Sequence, residues 1–215
     1  MRTPLITAAA LASVLVVGAP AAQASIIFFD GPGAVQPDEN LLFNGEGTFP
    51  GPGMTVKGRT NQTDTIFNLI GMESLVTPSN GQARVEDEGG TGFASLLVDA
   101  LDSDVFYTEF EANLNAEADG VANIRVTDDS GTVFDFSFNV NGGGQNFFGL
   151  QAIDGQLINT VLITTVGIEL QDVRQIRVGG ITDGDNPPDN TPEPTTMALL
   201  GLGLIGAGYA RRRQQ

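Results

Sequence analysis

The sequence predicts an all-β protein, a two-sheet antiparallel sandwich of jelly-roll type, from two observations. Between Ser25 and Ile181, short runs of alternating or β-branched residues are separated by clusters of Gly, Asn, Asp and Pro, which is typical of strands joined by turns. The same region has no apolar stripe with the period of an amphipathic helix. About eleven short strands, with turn signals roughly every 8 to 14 residues, favour two packed sheets.

Residues 1–24 predict an N-terminal signal peptide. Arg2 precedes an apolar stretch, and Ala22 and Ala24 flank Gln23 in the A-x-A pattern of a secretory cleavage site. The apolar stretch is shorter than the roughly 20 residues that a helix needs to span a bilayer. We therefore expect this segment to be removed, so that the exported chain begins at Ser25.

Strand alternation is clearest at residues 121–140, where "VANIRVT", "DDSG" and "TVFDFSFNV" predict a hairpin. The apolar residues of its second arm share one face of the strand, namely Phe134, Phe136, Phe138 and Val140. The polar residues between them share the other face, as in an antiparallel sheet with one solvated side. The other predicted strands cover residues 41–49, 54–60, 65–70, 82–86, 95–98, 106–114, 146–152, 157–165 and 173–178.

The part of the chain between the two terminal segments is strongly acidic. It holds 25 acidic and 6 basic residues, a formal charge of −19, once Arg2, Glu193 and Arg211–Arg213 are set aside. Residues 25–190, about 165 residues, have the length of one domain with a core of its own, and we predict that domain at residues 25–181. Such a charge repels nucleic acid and anionic lipid, so neither is an expected partner. Calcium is the counter-ion expected outside a cell.

The chain contains no cysteine and no histidine. Their absence excludes zinc sites with Cys or His ligands, haem with a His or Cys ligand, Ser-His-Asp and Cys-His nucleophiles, and histidine acid–base catalysis. We therefore predict a domain that is not an enzyme.

Two carbohydrate-related alternatives remain open. Sandwich domains often bind glycans through Asn, Asp and Gln, which are abundant here, so a carbohydrate-binding module is the nearer alternative. A glycoside hydrolase needs only two carboxylates, and candidate pairs come from Glu73, Glu109, Glu111 and Asp135. That alternative is remote, because the chain has two Tyr and no Trp to stack on a sugar.

One loop offers candidate metal ligands. The stretch "DALDSD" places Asp99, Asp102 and Asp104 close together before a predicted strand, and oxygen-rich loops hold calcium outside cells. A solvated turn explains the same pattern, and the spacing is not that of an EF-hand. No other cofactor is expected.

Three further features have ordinary structural interpretations. The stretch "EDEGG" at residues 86–90 predicts a charged turn. The stretch "NGGGQN" at residues 141–146 predicts a turn between strands, because a phosphate loop would open a helix. Arg84, Arg174 and Arg177 are rare cations in an acidic domain, and we expect each to pair with a carboxylate or a backbone carbonyl.

The C-terminal part follows a predicted flexible acidic linker at residues 182–191, "TDGDNPPDNT". An uncharged apolar run at residues 195–210 then covers roughly 24 Å as a helix, somewhat less than the roughly 30 Å hydrocarbon core. It spans the bilayer if the flanking arginines snorkel and the bilayer thins slightly. Arg211, Arg212 and Arg213 predict that the extreme C-terminus stays cytoplasmic.

The segment at residues 192–215 resembles the PEP-CTERM sorting signal. The features that carry the resemblance are Pro192, Glu193 and Pro194, then one short apolar span, then an arginine cluster at the extreme C-terminus. The prolines hold the triplet extended above the membrane. The resemblance implies processing by an exosortase, a multi-pass membrane enzyme, near Pro-Glu-Pro, followed by release to the surface of a Gram-negative type of envelope.

A second, looser resemblance concerns the domain itself. The stretches "VKGRTNQTDTIFNLIGMESLV", "GQARVEDE", "GGGQNFFGLQAIDGQLINTVLI" and "DVRQIRVGG" look like a β-domain often carried as cargo by such proteins. Together these patterns predict an exported surface or extracellular-matrix protein that is held in the membrane only until it is processed. Exosortase is the predicted partner, and exopolysaccharide or other surface proteins are further candidates.

Overall fold

The computed structural model describes residues 25–78 and 83–183, and this part of the chain is entirely β-structure and connecting segments. The all-β prediction is therefore confirmed. The strands are β1 (Ser25–Asp30), β2 (Glu39–Leu42), β3 (Gly53–Thr60), β4 (Ile66–Val76), β5 (Arg84–Asp87), β6 (Ser95–Ala100), β7 (Val105–Phe106), β8 (Glu109–Ala116), β9 (Gly120–Asp128), β10 (Val133–Val140), β11 (Asn146–Ile153), β12 (Ile158–Thr165), β13 (Leu170–Gly179) and β14 (Thr182–Asp183). Across these residues, no helix is long and apolar enough to cross a bilayer.

Hydrogen bonding joins most of the described strands into one continuous antiparallel sheet. Its order is β1-β11-β8-β13-β2-β3-β4-β6-β12-β9-β10, and β5 pairs with both β13 and β4. A second small sheet consists of β7 and β14. The sequence predicted a sandwich of two packed sheets, and the observed pairing passes from one end of the large sheet to the other without a break. The sandwich arrangement stays a prediction. Alternation shows which face of a strand is buried, and it does not identify the neighbouring strand.

The two ends of the large sheet meet through aromatic side chains. Phe28 of β1 lies with its ring centroid 5.4 Å from those of both Phe136 and Phe138 of β10. The ring centroid of Tyr107 lies 5.6 Å from that of Phe67 of β4 and 6.4 Å from that of Phe110 of β8. Strands that are distant along the hydrogen-bonded path therefore enclose one apolar core.

The predicted hairpin at residues 121–140 is confirmed by β9 and β10. In β10, Phe138 and Val140 are buried, and Phe134 and Phe136 are half-buried against the core. The alternate residues of the strand, from Val133 to Asn139, are exposed. The alternating sequence therefore identified the buried face correctly.

Several segments differ from their predicted limits. The strand predicted at 65–70 continues to Val76, and the one predicted at 106–114 is divided into β7 and β8. Strand β1 was missed because "SIIFFD" is a continuous apolar run without alternation, yet it pairs with β11 from Ser25↔Ile153 to Asp30↔Phe148. The strand predicted at 41–49 ends at Leu42, and the chain then turns through Gly47 at φ 79°. Strand β14 extends the β-structure to Asp183, two residues into the predicted linker. The predicted signal peptide, the rest of the linker and the C-terminal span lie outside the described residues.

The connection from β1 to β2 crosses the outer face of the sheet at residues 31–38. A β-carbon at Gly149 would lie 2.8 Å from Cγ2 of Val35, and one at Gly179 would lie 3.1 Å from Cα of Pro37. Glycine at these two positions therefore lets the connection lie directly on β11 and β13. The Gly33 N–H also donates to Oε2 of Glu111 on β8, at 3.3 Å.

Candidate functional site

Strand β13 is irregular at its centre. The register with β8 shifts between Arg174 and Arg177, which indicates a bulge. Gln175 has a φ of 53°, a left-handed conformation that is uncommon for residues other than glycine. Two hydrogen bonds hold it there: its N–H donates to the Ala83 carbonyl at 3.2 Å, and its Oε1 accepts from Nδ2 of Asn113 at 3.1 Å. Such strained residues concentrate at functional sites.

The bulge faces a gap between two neighbouring strands. One edge of β13 pairs with β8 along most of its length. The other edge is shared, because β5 pairs with Asp172–Arg174 and β2 pairs with Arg177 and Val178. Gln175 and Ile176 lie between these two pairings and have no strand partner on that edge.

A cavity of about 300 Å³ opens at this gap, at the lower end of the size range of small-ligand sites. Its lining residues are all uncharged: Asn40, Leu41, Leu42, Asn61, Ala83, Gln175 and Ile176. Oδ1 of Asn61 accepts the Asn40 N–H at 2.7 Å, which fixes the Asn61 amide. The Asn40 side chain is exposed and makes no hydrogen bond within the described residues. The cavity therefore presents amide donors and acceptors beside apolar carbon atoms. We refer to it as the amide cavity.

A polar network behind the amide cavity supports β13. Asp172 accepts two hydrogen bonds from Arg174, at 2.6 and 2.9 Å, and a third from Nδ2 of Asn115 at 2.9 Å. Arg177 lies 3.7 Å from Oε1 of Glu111. Asn113 is only 1% exposed, and within the described part of the chain its buried Oδ1 and the buried Nε of Arg177 have no hydrogen-bond partner. A buried amide with an unpaired oxygen next to Gln175 is an exception to the usual satisfaction of buried polar groups.

The three rare arginines all pair with carboxylates, as predicted. Arg174 and Arg177 pair with Asp172 and Glu111, and Arg84 lies 3.1 Å from Oε2 of Glu86. Their charges are therefore balanced within the domain.

The candidate calcium ligands are divided between a strand and a turn. Asp99 lies in β6, and burial raises the pKa of its carboxyl group. Asp102 and Asp104 lie in the turn that follows, where the Asp104 N–H donates to Oδ1 of Asp102 at 3.2 Å. Among the residues that the structure describes, no three acidic side chains come close enough to hold a metal ion. Calcium binding at this loop stays a prediction.

Two of the four candidate hydrolase carboxylates lie on one strand. Glu109 and Glu111 occupy the same face of β8, where Glu111 pairs with Arg177. Asp135 of β10 accepts two hydrogen bonds from Arg125, at 2.7 and 3.2 Å, and Glu73 lies on β4. Neither β10 nor β4 pairs with β8. The described residues therefore do not place all four carboxylates on paired strands.

The predicted turns also have defined positions. Asn146, at the start of β11, accepts the Asn141 N–H at 2.8 Å and donates to the Leu114 and Asn141 carbonyls, so "NGGGQN" closes the connection between β10 and β11. In "EDEGG", Glu86 and Asp87 end β5, and the turn begins at Glu88. Oδ2 of Asp87 accepts the Thr91 N–H at 2.9 Å and the Thr91 hydroxyl at 3.0 Å. The Thr91 N–H lowers the pKa of Asp87 below its ordinary value of 3.8, against the opposing effect of burial.

We expect Asp87→Asn to lower the free energy of unfolding by about 1 kcal/mol at neutral pH, because the loop bonds lose their charge assistance. The pKa of Asp87 is lower in the folded state, so its ionisation stabilises the fold above the unfolded-state pKa. That contribution disappears as the pH falls through the folded-state pKa. Urea titrations from neutral pH to about pH 2.5 should therefore show the two proteins converging. A difference that stays constant over this range would contradict the role of the carboxylate.

The C-terminal segment matches a known family. The family described as the PEP-CTERM protein-sorting motif matches residues 190–214. This segment is a PEP-CTERM sorting motif. The resemblance that the sequence suggested is thereby confirmed, and the all-β part of the chain is its cargo domain. Pro192, Glu193, Pro194 and Arg211–Arg213 fall inside the matched range but outside the described residues. Ala22 and Ala24, of the predicted signal-peptide cleavage site, also lie outside the described residues.

The start of β1 and the end of β13 can be located relative to each other through the strand pairings. The last described residues, Thr182 and Asp183, pair with β7. The first described residue, Ser25, pairs with Ile153 of β11. Two residues earlier in β11, Gln151 pairs with Glu109 of β8, and Glu109 in turn pairs with Gly179 of β13. The start of β1 and the end of β13 are therefore at the same end of the sheet, with β11 and β8 between them.

Comparisons of the whole chain are less informative. The solved structure "CBM29_1, A Family 29 Carbohydrate Binding Module from Piromyces equi" is 13% identical, with a TM-score of 0.35, over 73% of this chain and 89% of that one. The structure "BiXyn10A CBM1 APO" is 14% identical, with a TM-score of 0.14, over 64% and 96%. Similarity at this level supports no argument about fold or ligand. No curated protein matches the chain.

Sequence reasoning did not find the residues of the amide cavity. Asn40, Asn61 and Gln175 come from three distant parts of the chain, and the N-x-T pattern that begins at Asn61 does not indicate this cavity. One local signal was present: in "DVRQIRV" the buried apolar residues are Val173, Ile176 and Val178. The three-residue step from Val173 to Ile176 breaks the alternation and marks the bulge.

Proposed function

We propose that the protein is an exported, exosortase-sorted component of the cell surface or extracellular matrix, with a non-catalytic β-sandwich cargo domain. The observation that carries this proposal is the PEP-CTERM motif at residues 190–214, directly after an acidic all-β domain. The motif accounts for the apolar run and the arginine cluster, which serve sorting and not the activity of the domain.

The arrangement of the domain's ends supports the proposed topology. Because β1 begins at the end of the sheet where β13 stops, segments on both sides of the domain can reach one membrane from the same side. Arg211–Arg213 stay cytoplasmic, whereas the acidic domain is exported. The contacts of Phe28 with Phe136 and Phe138 support the sandwich, because they bring the two end strands together over a shared core.

A non-catalytic role is supported by the pairing of the candidate carboxylates. Asp135 is paired with Arg125 and Glu111 with Arg177. A general acid needs a raised pKa, whereas the Arg125 guanidinium lowers the pKa of Asp135. The hydrolase alternative therefore loses one of its candidates.

The test is the intact mass of the protein recovered from the outer surface or medium of the cells that make it. We expect a mass that starts at Ser25 and ends near Pro192, because exosortase processing removes the tail. A recovered mass that retains Arg211–Arg213 would show a permanent anchor and would overturn the sorting proposal.

A second candidate function is the binding of exopolysaccharide. The amide cavity favours it, since amides beside apolar carbons suit sugar hydroxyls and ring faces.

A further inference from the structure

We propose that the amide cavity between β2 and β5 binds uncharged sugar units of a polysaccharide. This inference rests on the proposed function, because export to the surface is what would bring the domain to such a polymer. It assigns the binding to one place on the domain and to one chemical class of ligand.

The size and lining of the amide cavity suit a single sugar ring. Its volume of about 300 Å³ is small for an extended segment of polymer. Sugar hydroxyls both donate and accept hydrogen bonds, and each primary amide offers two donors and one acceptor oxygen. Leu41, Leu42 and Ile176 supply apolar carbon atoms against which the C–H face of a ring can pack.

The electrostatics favour an uncharged ligand. None of the lining residues is charged, and the nearby Arg174 and Arg177 are already paired with Asp172 and Glu111. The whole chain has 26 acidic and 10 basic residues, so its net negative charge repels a polymer of uronic acids. A neutral polysaccharide is not repelled by this charge.

Two of the three side-chain amides of the cavity, those of Asn61 and Gln175, are held before a ligand arrives. Gln175 is fixed in its left-handed conformation by the Ala83 carbonyl and by Asn113, and Asn61 is fixed by the Asn40 N–H. Ordering these side chains therefore costs little on binding, which strengthens the contact that each can make. The strained conformation of Gln175 accompanies the bulge, which leaves Gln175 and Ile176 between the β5 and β2 pairings at the cavity.

The decisive experiment is affinity electrophoresis of the exported protein in gels that contain dextran, mixed-linkage β-glucan, galactomannan or the anionic polymer polygalacturonate. We expect at least one neutral polymer to retard the wild-type protein, and polygalacturonate not to. Asn40→Ala should weaken that retardation about 3- to 10-fold, as expected for one lost hydrogen bond. This variant should fold normally, because the Asn40 side chain is exposed and makes no hydrogen bond within the described residues.

Gln175→Gly gives an independent variant, because glycine accepts the φ of 53° while the amide is removed. Gln171→Ala is the matched control: it removes an exposed amide from β13 outside the cavity, and its retardation should equal that of the wild-type protein.

Equal retardation of the wild-type protein, Asn40→Ala and Gln175→Gly would overturn the proposed site. Absence of retardation by every neutral polymer, or retardation by polygalacturonate alone, would overturn the ligand class. These results do not depend on the recovered mass, so a failure of sorting and a failure of this site are distinguishable.

Discussion

Replacing Pro192, Glu193 and Pro194 together with alanine is expected to abolish processing, so that nearly all of the protein stays in the membrane fraction at its unprocessed C-terminal mass. Proline restricts φ and disfavours helix at the residue before it, so we expect the triplet to be bound in an extended form, as processing enzymes bind a segment. Alanine removes this restraint and favours helix, which allows the apolar run to extend through the triplet. Fractionation followed by intact-mass measurement tests this result.

The matched control replaces Thr195 and Thr196 with alanine, next to the triplet but outside it. This variant should be processed like the wild-type protein. If the triple variant reached the medium with the same C-terminal mass as the wild type, Pro-Glu-Pro would not be the recognised element. The proposed processing by an exosortase near Pro-Glu-Pro would then be wrong, although residues 190–214 would still match the PEP-CTERM family.

Phe148→Ala should lower the free energy of unfolding by about 3–5 kcal/mol, a large part of the roughly 5–15 kcal/mol typical of a domain. Phe148 of β11 is fully buried, and its ring lies 5.7 Å from Phe138, 5.8 Å from Phe110 and 6.1 Å from Phe28. Truncation therefore leaves a cavity where β1 and β10, the two end strands of the sheet, pack against Phe148 of β11. Urea denaturation of the exported protein measures the effect.

The same truncation at an exposed position is the control. Phe49 is 45% exposed, so Phe49→Ala should cost about 1 kcal/mol or less. Equal costs at the two positions would contradict the proposed packing of β1, β10 and β11 around one core.

Part of the candidate site was visible in the sequence. The pairing of Arg84, Arg174 and Arg177 followed from their scarcity in an acidic domain, because a partly buried cation needs a carboxylate. The amide cavity was not visible, because no spacing links Asn40, Asn61 and Gln175. They converge only because β2 and β5 pair with successive parts of one edge of β13.

The sequence alone determined the β class, the buried face of strands such as β10, and the PEP-CTERM sorting motif at residues 190–214. These properties depend on local patterns: alternation places side chains on one face, and a sorting signal is recognised as a short linear segment. Only the tertiary structure decided which strands are neighbours, where β1 lies, and how Gly149 and Gly179 let residues 31–38 cross the sheet. Strand pairing and close backbone approach are contacts between residues far apart in the chain, and their energies depend on the whole fold.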